Sequence, residues 1–129
     1  ARSLIESDVA RRAAVAITDD ELLQLEALLQ TQHHTIGDPI AFRKSDFEFH
    51  ELIWIGCRNA FLKRIGESLN VIGLEFRKRA SERPGVLEQS LRDHRRLLDA
   101  LKARDPAAAA AAAEAHMQNV YQSTIAQEG

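Results

Sequence analysis

Asp38-Pro39-Ile40-Ala41-Phe42-Arg43-Lys44-Ser45-Asp46-Phe47-Glu48-Phe49-His50-Glu51-Leu52-Ile53-Trp54-Ile55-Gly56-Cys57 is the stretch on which the fold turns. It begins with two start signals for a helix. The aspartate can cap free backbone N–H groups, and proline suits the first helical position, where no N–H is needed. A helix then advances about 100° per residue, so Phe42, Asp46, Phe49, His50, Ile53 and Cys57 fall on one stripe. That stripe is apolar except for a carboxylate and an imidazole four residues apart. A carboxylate buried there without a partner is costly enough to take up a proton or break the fold. A nearby cation is the natural remedy.

The same punctuation recurs on either side. Thr18-Asp19-Asp20-Glu21 fits a capping box, in which the Thr18 hydroxyl and the Glu21 carboxylate each satisfy the other's backbone donor. Asp105-Pro106 repeats the Asp-Pro start, Gly37 can end the helix before Asp38, and Ser81-Glu82-Arg83-Pro84-Gly85 reads as a loop. Six helices follow, at roughly 1–16, 19–34, 39–57, 60–80, 86–103 and 106–126. No segment alternates with β-branched residues as a strand would. The expectation is an all-α antiparallel bundle of about six or seven helices without a sheet, its short connections making consecutive helices neighbours. The run Ala107 to Ala113 reads as a closely packed helix, because alanine is the best helix former and Asp105-Pro106 starts it in the right place.

Composition narrows the function. The 129 residues suffice for one domain with a real core, and we read 1–129 as a single unit. The net charge is −2, from 17 basic and 19 acidic side chains, whereas a domain gripping nucleic acid by itself needs a basic surplus. Cys57 is the only cysteine, so no internal disulfide forms, and a reducing cytoplasmic location fits. No apolar run approaches the roughly 20 residues of a membrane span. The first residue is Ala1, not methionine, which suggests a piece of a longer protein; either DNA is not a partner, or the part that binds it lies outside this chain.

Two further histidines share the character of His50. His94 sits amid Leu87, Leu91, Leu97, Leu98 and Leu101, and His116 shares a face with Ala109, Ala112, Ala113 and Val120. Three helices thus aim imidazoles at the core, one of them with Asp46 beside it. Such a nitrogen and oxygen set suits one divalent ion, zinc first, with nickel, manganese, cobalt or iron as alternatives. The competing reading is a set of separately hydrogen-bonded core histidines, since separate helices need not converge. His33 and His34 close the second helix and read as cations complementing its dipole.

Several strings resemble a known family. Asp46-Phe47-Glu48-Phe49-His50 with Asn59 and Phe61-Leu62 resembles the D-x-x-F-H…N-x-x-L signature of the FCD domain. This is the ligand-sensing C-terminal domain of a large subgroup of GntR-type bacterial transcription regulators. The segment from Asp93-His94 to Leu101 is similar to that family's H-x-x-I/L-x-x-A-I/L motif, and Asp105-Pro106 through Ala115-His116-Met117 to its closing motif. The opening Ala1-Arg2-Ser3-Leu4-Ile5-Glu6, with Ala13-Ala14 and Thr18 to Leu22, resembles its first two helices.

The resemblance implies an antiparallel helical bundle holding a divalent metal through Asp46, His50, His94 and His116. It also implies a small carboxylate effector, a homodimer, and DNA contact through an N-terminal winged helix-turn-helix domain absent from this chain. No membrane partner is expected. A carboxylate beside the metal needs a guanidinium as second clamp. Arg77 is the first candidate, flanking the stripe Leu62, Ile65, Leu69, Ile72 and Phe76 where Gly66 and Gly73 leave room; a solvated charge at a helix end is the alternative. Arg2, matching the family's opening arginine, is the second candidate. Asn119 and Ser123 could line the cavity or cap the bundle. Phe47, Trp54 and Ile55 lie on the charged side of the third helix, to be covered by another helix, a dimer partner or the upstream domain.

The function expected is therefore sensing, not catalysis. A metal-dependent hydrolase is the runner-up, but Glu48, Glu51 and Glu114, the carboxylates nearest the proposed ligands in sequence, all point off the ligand faces. A purely structural dimerisation module is the third reading.

Overall fold

The helix starts read from the sequence are capped as expected in the computed structural model, which describes residues 2–128, apart from the side chains of Phe76 and 124–128. Thr18 and Glu21 form the reciprocal capping box. Asp38 accepts from the Ala41 N–H at 3.2 Å, and Asp105 from that of Ala108 at 3.1 Å. Among the described residues the elements are α1 (Arg2–Ala16), α2 (Asp19–His34), α3 (Pro39–Gly56), α4 (Ala60–Ile72), α5 (Leu74–Ser81), α6 (Val86–Lys102) and α7 (Pro106–Glu128), with no strand. Ala1, part of the motif at the front of the chain, lies outside the described residues.

Three details differ from the sequence reading. The helix expected over 60–80 is two, divided at Gly73. α2 ends at His34 as expected, but its cap is Thr35 and not Gly37, the Thr35 N–H turning back to the carbonyls of Thr31 and Gln32. The stripe read as the inner face of α4 is not its buried one. Among the described side chains α4 buries Gly66 and Asn70, while Leu62, Ile65 and Leu69 are half-buried and Ile72 is 68% exposed. The cause is steric: Trp54 packs so near Gly66 that α4 approaches α3 by its small residues, and its large apolar groups are left at the flank. The Phe76 side chain lies outside the described residues.

That approach also settles what covers Trp54, which is 1% exposed and faces another helix of the same chain. A Cβ on Gly66 would fall 2.6 Å from the indole. Gly66→Ala is accordingly expected to destabilise the chain by about 1–3 kcal/mol through overpacking, read as a lowered urea midpoint at unchanged m-value.

The core is layered by residue size. α1 and α7 approach through small side chains (Val9, Ala10, Ala13 and Ala14 against Ala109, Ala112 and Ala113), all buried. Larger groups, Leu25, Leu29, Phe49, Leu98 and Leu101, fill the space between α2, α3 and α6. Two arginines in left-handed conformation, Arg58 (φ 56°) and Arg104 (φ 54°), clamp the α1–α2 connection. Arg58 reaches Glu21 at 2.7 Å, and Arg104 reaches the Ile17 carbonyl and Asp19. At the other flank of α2, Arg95 forks onto Glu26 at 2.8 and 2.6 Å with Lys102 beside it, and these bonds hold the Glu26 carboxyl well below the usual range. With α2 fixed at both flanks, the residue it contributes to the centre of the bundle is held in place.

Candidate metal centre

The site lies where α3, α6 and α7 face one another. His50, His94 and His116 are all buried, and one potential ligand atom from each lies within 4.8 Å of the others. The rings of His50 and His116 stack with centroids 5.5 Å apart, and His94 meets both edge-on. Asp46, one turn before His50, places Oδ1 at 3.2 Å from His50 Nε2 and 3.1 Å from His94 Nε2. The structure thus brings together all four residues picked from the sequence. The three imidazoles form the tight group, and Asp46 touches two of them.

Tautomers follow from the outer contacts. His94 Nδ1 lies 2.7 Å from the Gln32 side-chain carbonyl oxygen, which can only accept, so Nδ1 carries the proton and the Nε2 lone pair is free. His116 Nδ1 lies 2.8 Å from Asp93 Oδ2, with the same consequence. Asp93 is itself fixed by the amides of Gln89 at 2.8 Å and Asn119 at 3.1 Å. A carboxylate or carbonyl behind each ligating imidazole is the usual second layer of a metal site, setting ring orientation and raising basicity.

Electrostatics agree. Burial holds His94 and His116 below the ordinary histidine pKa, against the opposing pull of Asp46 and Asp93. Burial pushes the Asp46 carboxyl up, but His50 and His94 outweigh it and keep the group well below its usual value. Asp93 is also lowered despite burial, by its bonds from His116, Asn119 and Gln89.

A divalent ion fits these residues on two counts. His94 Nε2 is buried 3.1 Å from Asp46 Oδ1, and with the proton on Nδ1 the two atoms face each other as acceptors, a clash that a cation between them relieves. Ligand atoms each bonded at about 2.0–2.2 Å to one ion are themselves roughly 3.0–3.5 Å apart, which matches the spacing of Asp46 Oδ1 to the two imidazole nitrogens. Asp93→Asn is expected to lower metal affinity about 10–100-fold by loosening His116, without loss of helical circular dichroism; competition with a chelating dye measures it.

A cavity of about 40 Å³ adjoins the cluster, lined among others by Asp46, Arg77, His116, Asn119 and Ser123. That volume holds on the order of three waters, enough for the head of a small acid. Arg77 is not a solvated end charge: its Nε lies 3.7 Å from Asp46 Oδ2, and its Nη2 donates to the Asn70 carbonyl at 2.8 Å. Burial lowers its pKa despite Asp46. Asn119 both lines the cavity and supports Asp93, and Ser123 donates to the Asn119 carbonyl at 3.0 Å. Arg2 does not line this cavity; it stands beside Glu6, at 3.9 Å.

Sequence reasoning passed over Gln32 and Asp93. Gln32 is fully buried and continues the α2 stripe of Leu25 and Leu29, a signal masked by the exposed His33-His34 pair next to it. Asp93 stood one residue from a proposed ligand, and its i+4 relation to Gln89 was the available clue. The carboxylates weighed for catalysis stay off the cluster: Glu48 and Glu114 are exposed, and Glu48 and Glu51 line a groove between α2 and α3.

Comparison with known proteins accords with this architecture. The galactonate operon transcriptional repressor of Escherichia coli is 28% identical over 113 residues, covering 87% of this chain and 49% of that protein. The HTH-type transcriptional repressor NanR of Cronobacter sakazakii is 29% identical over 128 residues, covering 93% and 47%. The chain therefore spans about half the length of these relatives, which are transcriptional repressors and not enzymes. A solved GntR protein of Streptococcus agalactiae superposes with TM-score 0.80 at 27% identity, over 95% of this chain and 55% of that one. E. coli McbR/YncC gives 0.87 at 22% identity over 98% and 65%, a likeness of fold alone. No helix among the described residues is long and apolar enough to cross a membrane. Residues 1–119 match the FCD domain as a family, and the chain belongs to it: an FCD domain of the GntR-type transcriptional regulators.

Proposed function

We propose that this domain senses a small organic acid at a divalent metal held by Asp46, His50, His94 and His116, with zinc the first choice among zinc, nickel, manganese, cobalt and iron. The observation that carries this reading is the buried group of three imidazoles, with the His94 Nε2 lone pair facing the Asp46 carboxylate at 3.1 Å. When bound, the ion supplies a Lewis-acidic position for an anionic oxygen.

The chain's own residues do the rest. Gln32 and Asp93 hold the imidazoles in their ligating tautomers. Arg77, already beside Asp46 and on the cavity wall, clamps the acid's second oxygen, while Asn119 and Ser123 border its path. Arg2 acts from behind Arg77, adding positive potential. In the whole protein, a cytoplasmic homodimer, occupancy of this cavity shifts the dimer's geometry and thereby the DNA affinity of a winged helix-turn-helix domain upstream.

Calorimetric titration of acetate, lactate and citrate into the metal-loaded and metal-stripped chain tests sensing. Binding by at least one acid to the loaded form, lost on stripping and in Arg77→Met, is the expected result. Failure of every acid to bind the loaded chain, or steady consumption of one, sinks the reading.

A further inference from the structure

The cavity beside the cluster has a deep end and an outer end. Asp46, Asp93 and His116 line the deep end and are buried, whereas Arg43, Val86, Ser90 and Ser123 line it with half-buried side chains. The outer end lies against the connection from α5 to α6, which leaves one helix at Ser81 and enters the next at Val86, both of them lining residues. Two hydrogen bonds tie this connection to the walls on either side. Arg43 Nη1, from α3, donates to Ser81 Oγ at 2.8 Å, and Ser81 Oγ donates to the Lys78 carbonyl at 2.7 Å. Arg83 Nη1 donates to the Ser123 carbonyl of α7 at 3.3 Å. Among the described residues neither guanidinium has a carboxylate partner.

The other walls do not yield easily. Phe42 and Leu87 are buried in them, and Gln89 and Asn119 fix Asp93 at the deep end. The connection is different. Glu82, Pro84 and Gly85 are exposed and Arg83 is half-buried, so lifting this segment uncovers little apolar surface. Segments of that kind open at much lower free energy than a core does. Gly85 provides the hinge, because its φ of 83° lies in the left-handed region that glycine enters without strain. Movement is also required by size. About 40 Å³ holds on the order of three waters, too little for an ion arriving with its hydration shell.

We propose that residues 81–86 form a gate over the metal centre, latched by Arg43 on Ser81 and by Arg83 on the Ser123 carbonyl, which must lift for an ion to reach or leave the imidazoles. The inference rests on the metal reading above. A latch sets rates: releasing it speeds entry and exit together, and a change acting equally on the loaded and empty chain shifts no binding equilibrium. A merely structural contact behaves otherwise, since its loss speeds release and lowers affinity in step.

The test is stopped-flow release of zinc from the loaded chain into excess EDTA, with zinc affinity measured in parallel by dye competition. Ser81→Ala and Arg83→Met are each expected to speed release about tenfold, the scale of one hydrogen bond to a charged group, with affinity changed less than about threefold. Either variant decides if the other does not fold. Glu48→Gln, on the groove between α2 and α3, is the control and is expected to leave release unchanged. Unchanged release in either folded latch variant overturns the inference. So does faster release matched by an equal loss of affinity, or the same acceleration in Glu48→Gln. A wild-type chain that holds no zinc overturns the metal reading, and the gate with it.

Discussion

Stripping divalent metal from the chain with a chelator is expected to lower its midpoint of thermal unfolding by about 10–15 °C. A ligand that binds only the folded state stabilises it by roughly 3–4 kcal/mol when present at 100 to 1,000 times its dissociation constant. For a chain of 129 residues each kcal/mol moves the midpoint by about 3–5 °C. The local reason is the crowding of three imidazoles in the core, where the His94 Nε2 lone pair faces the Asp46 carboxylate at 3.1 Å. Differential scanning calorimetry with and without chelator measures the shift, and added zinc should reverse it. An unchanged midpoint would mean that the histidines are hydrogen-bonded core residues and nothing more.

His94→Ala is expected to have the largest effect of any single substitution in the site. The ring is 0% exposed, stacks on Phe49 with centroids 4.7 Å apart, and touches Gln32 on one side and Asp46 on the other. Removing it opens a cavity, orphans the Gln32 oxygen and takes a counter-group from Asp46, together about 2–5 kcal/mol. Metal affinity should fall by more than the 10–100-fold typical of losing an outer partner. His33→Ala is the control. That residue is exposed, and its loss should change stability by less than about 0.5 kcal/mol and metal affinity not at all. Urea unfolding together with dye competition separates the two effects.

The contrast between His94 and His33 shows what the sequence makes legible. A helical wheel gives each side chain's azimuth, and azimuth sufficed to put Asp46, His50, His94 and His116 on inward faces. Caps are local chemistry, so Thr18, Asp38 and Asp105 mark their helices plainly. The wheel does not give height along the bundle or the identity of the facing helix. Convergence of the four came from the order of the family motifs, and Gln32, which meets His94 from α2 62 residues away in sequence, was invisible. α4 misled for a related reason. Its large residues marked an apolar stripe, yet approach was decided by the smallest ones, Gly66 against Trp54 and Gly73 against two arginines. Glu6 and Asn70 carried no signal at all, since a single polar residue on a mixed helix face reads as solvated. Only their burial brings them forward.

The account stands or falls on the metal. Zinc chloride titrated into the stripped chain, followed by dialysis and elemental analysis, measures it directly. One equivalent retained per wild-type chain, and none by the chain carrying His94→Ala and His116→Ala, is the predicted result. A wild-type chain that retains no metal, or a double variant that retains as much as the wild type, would contradict it.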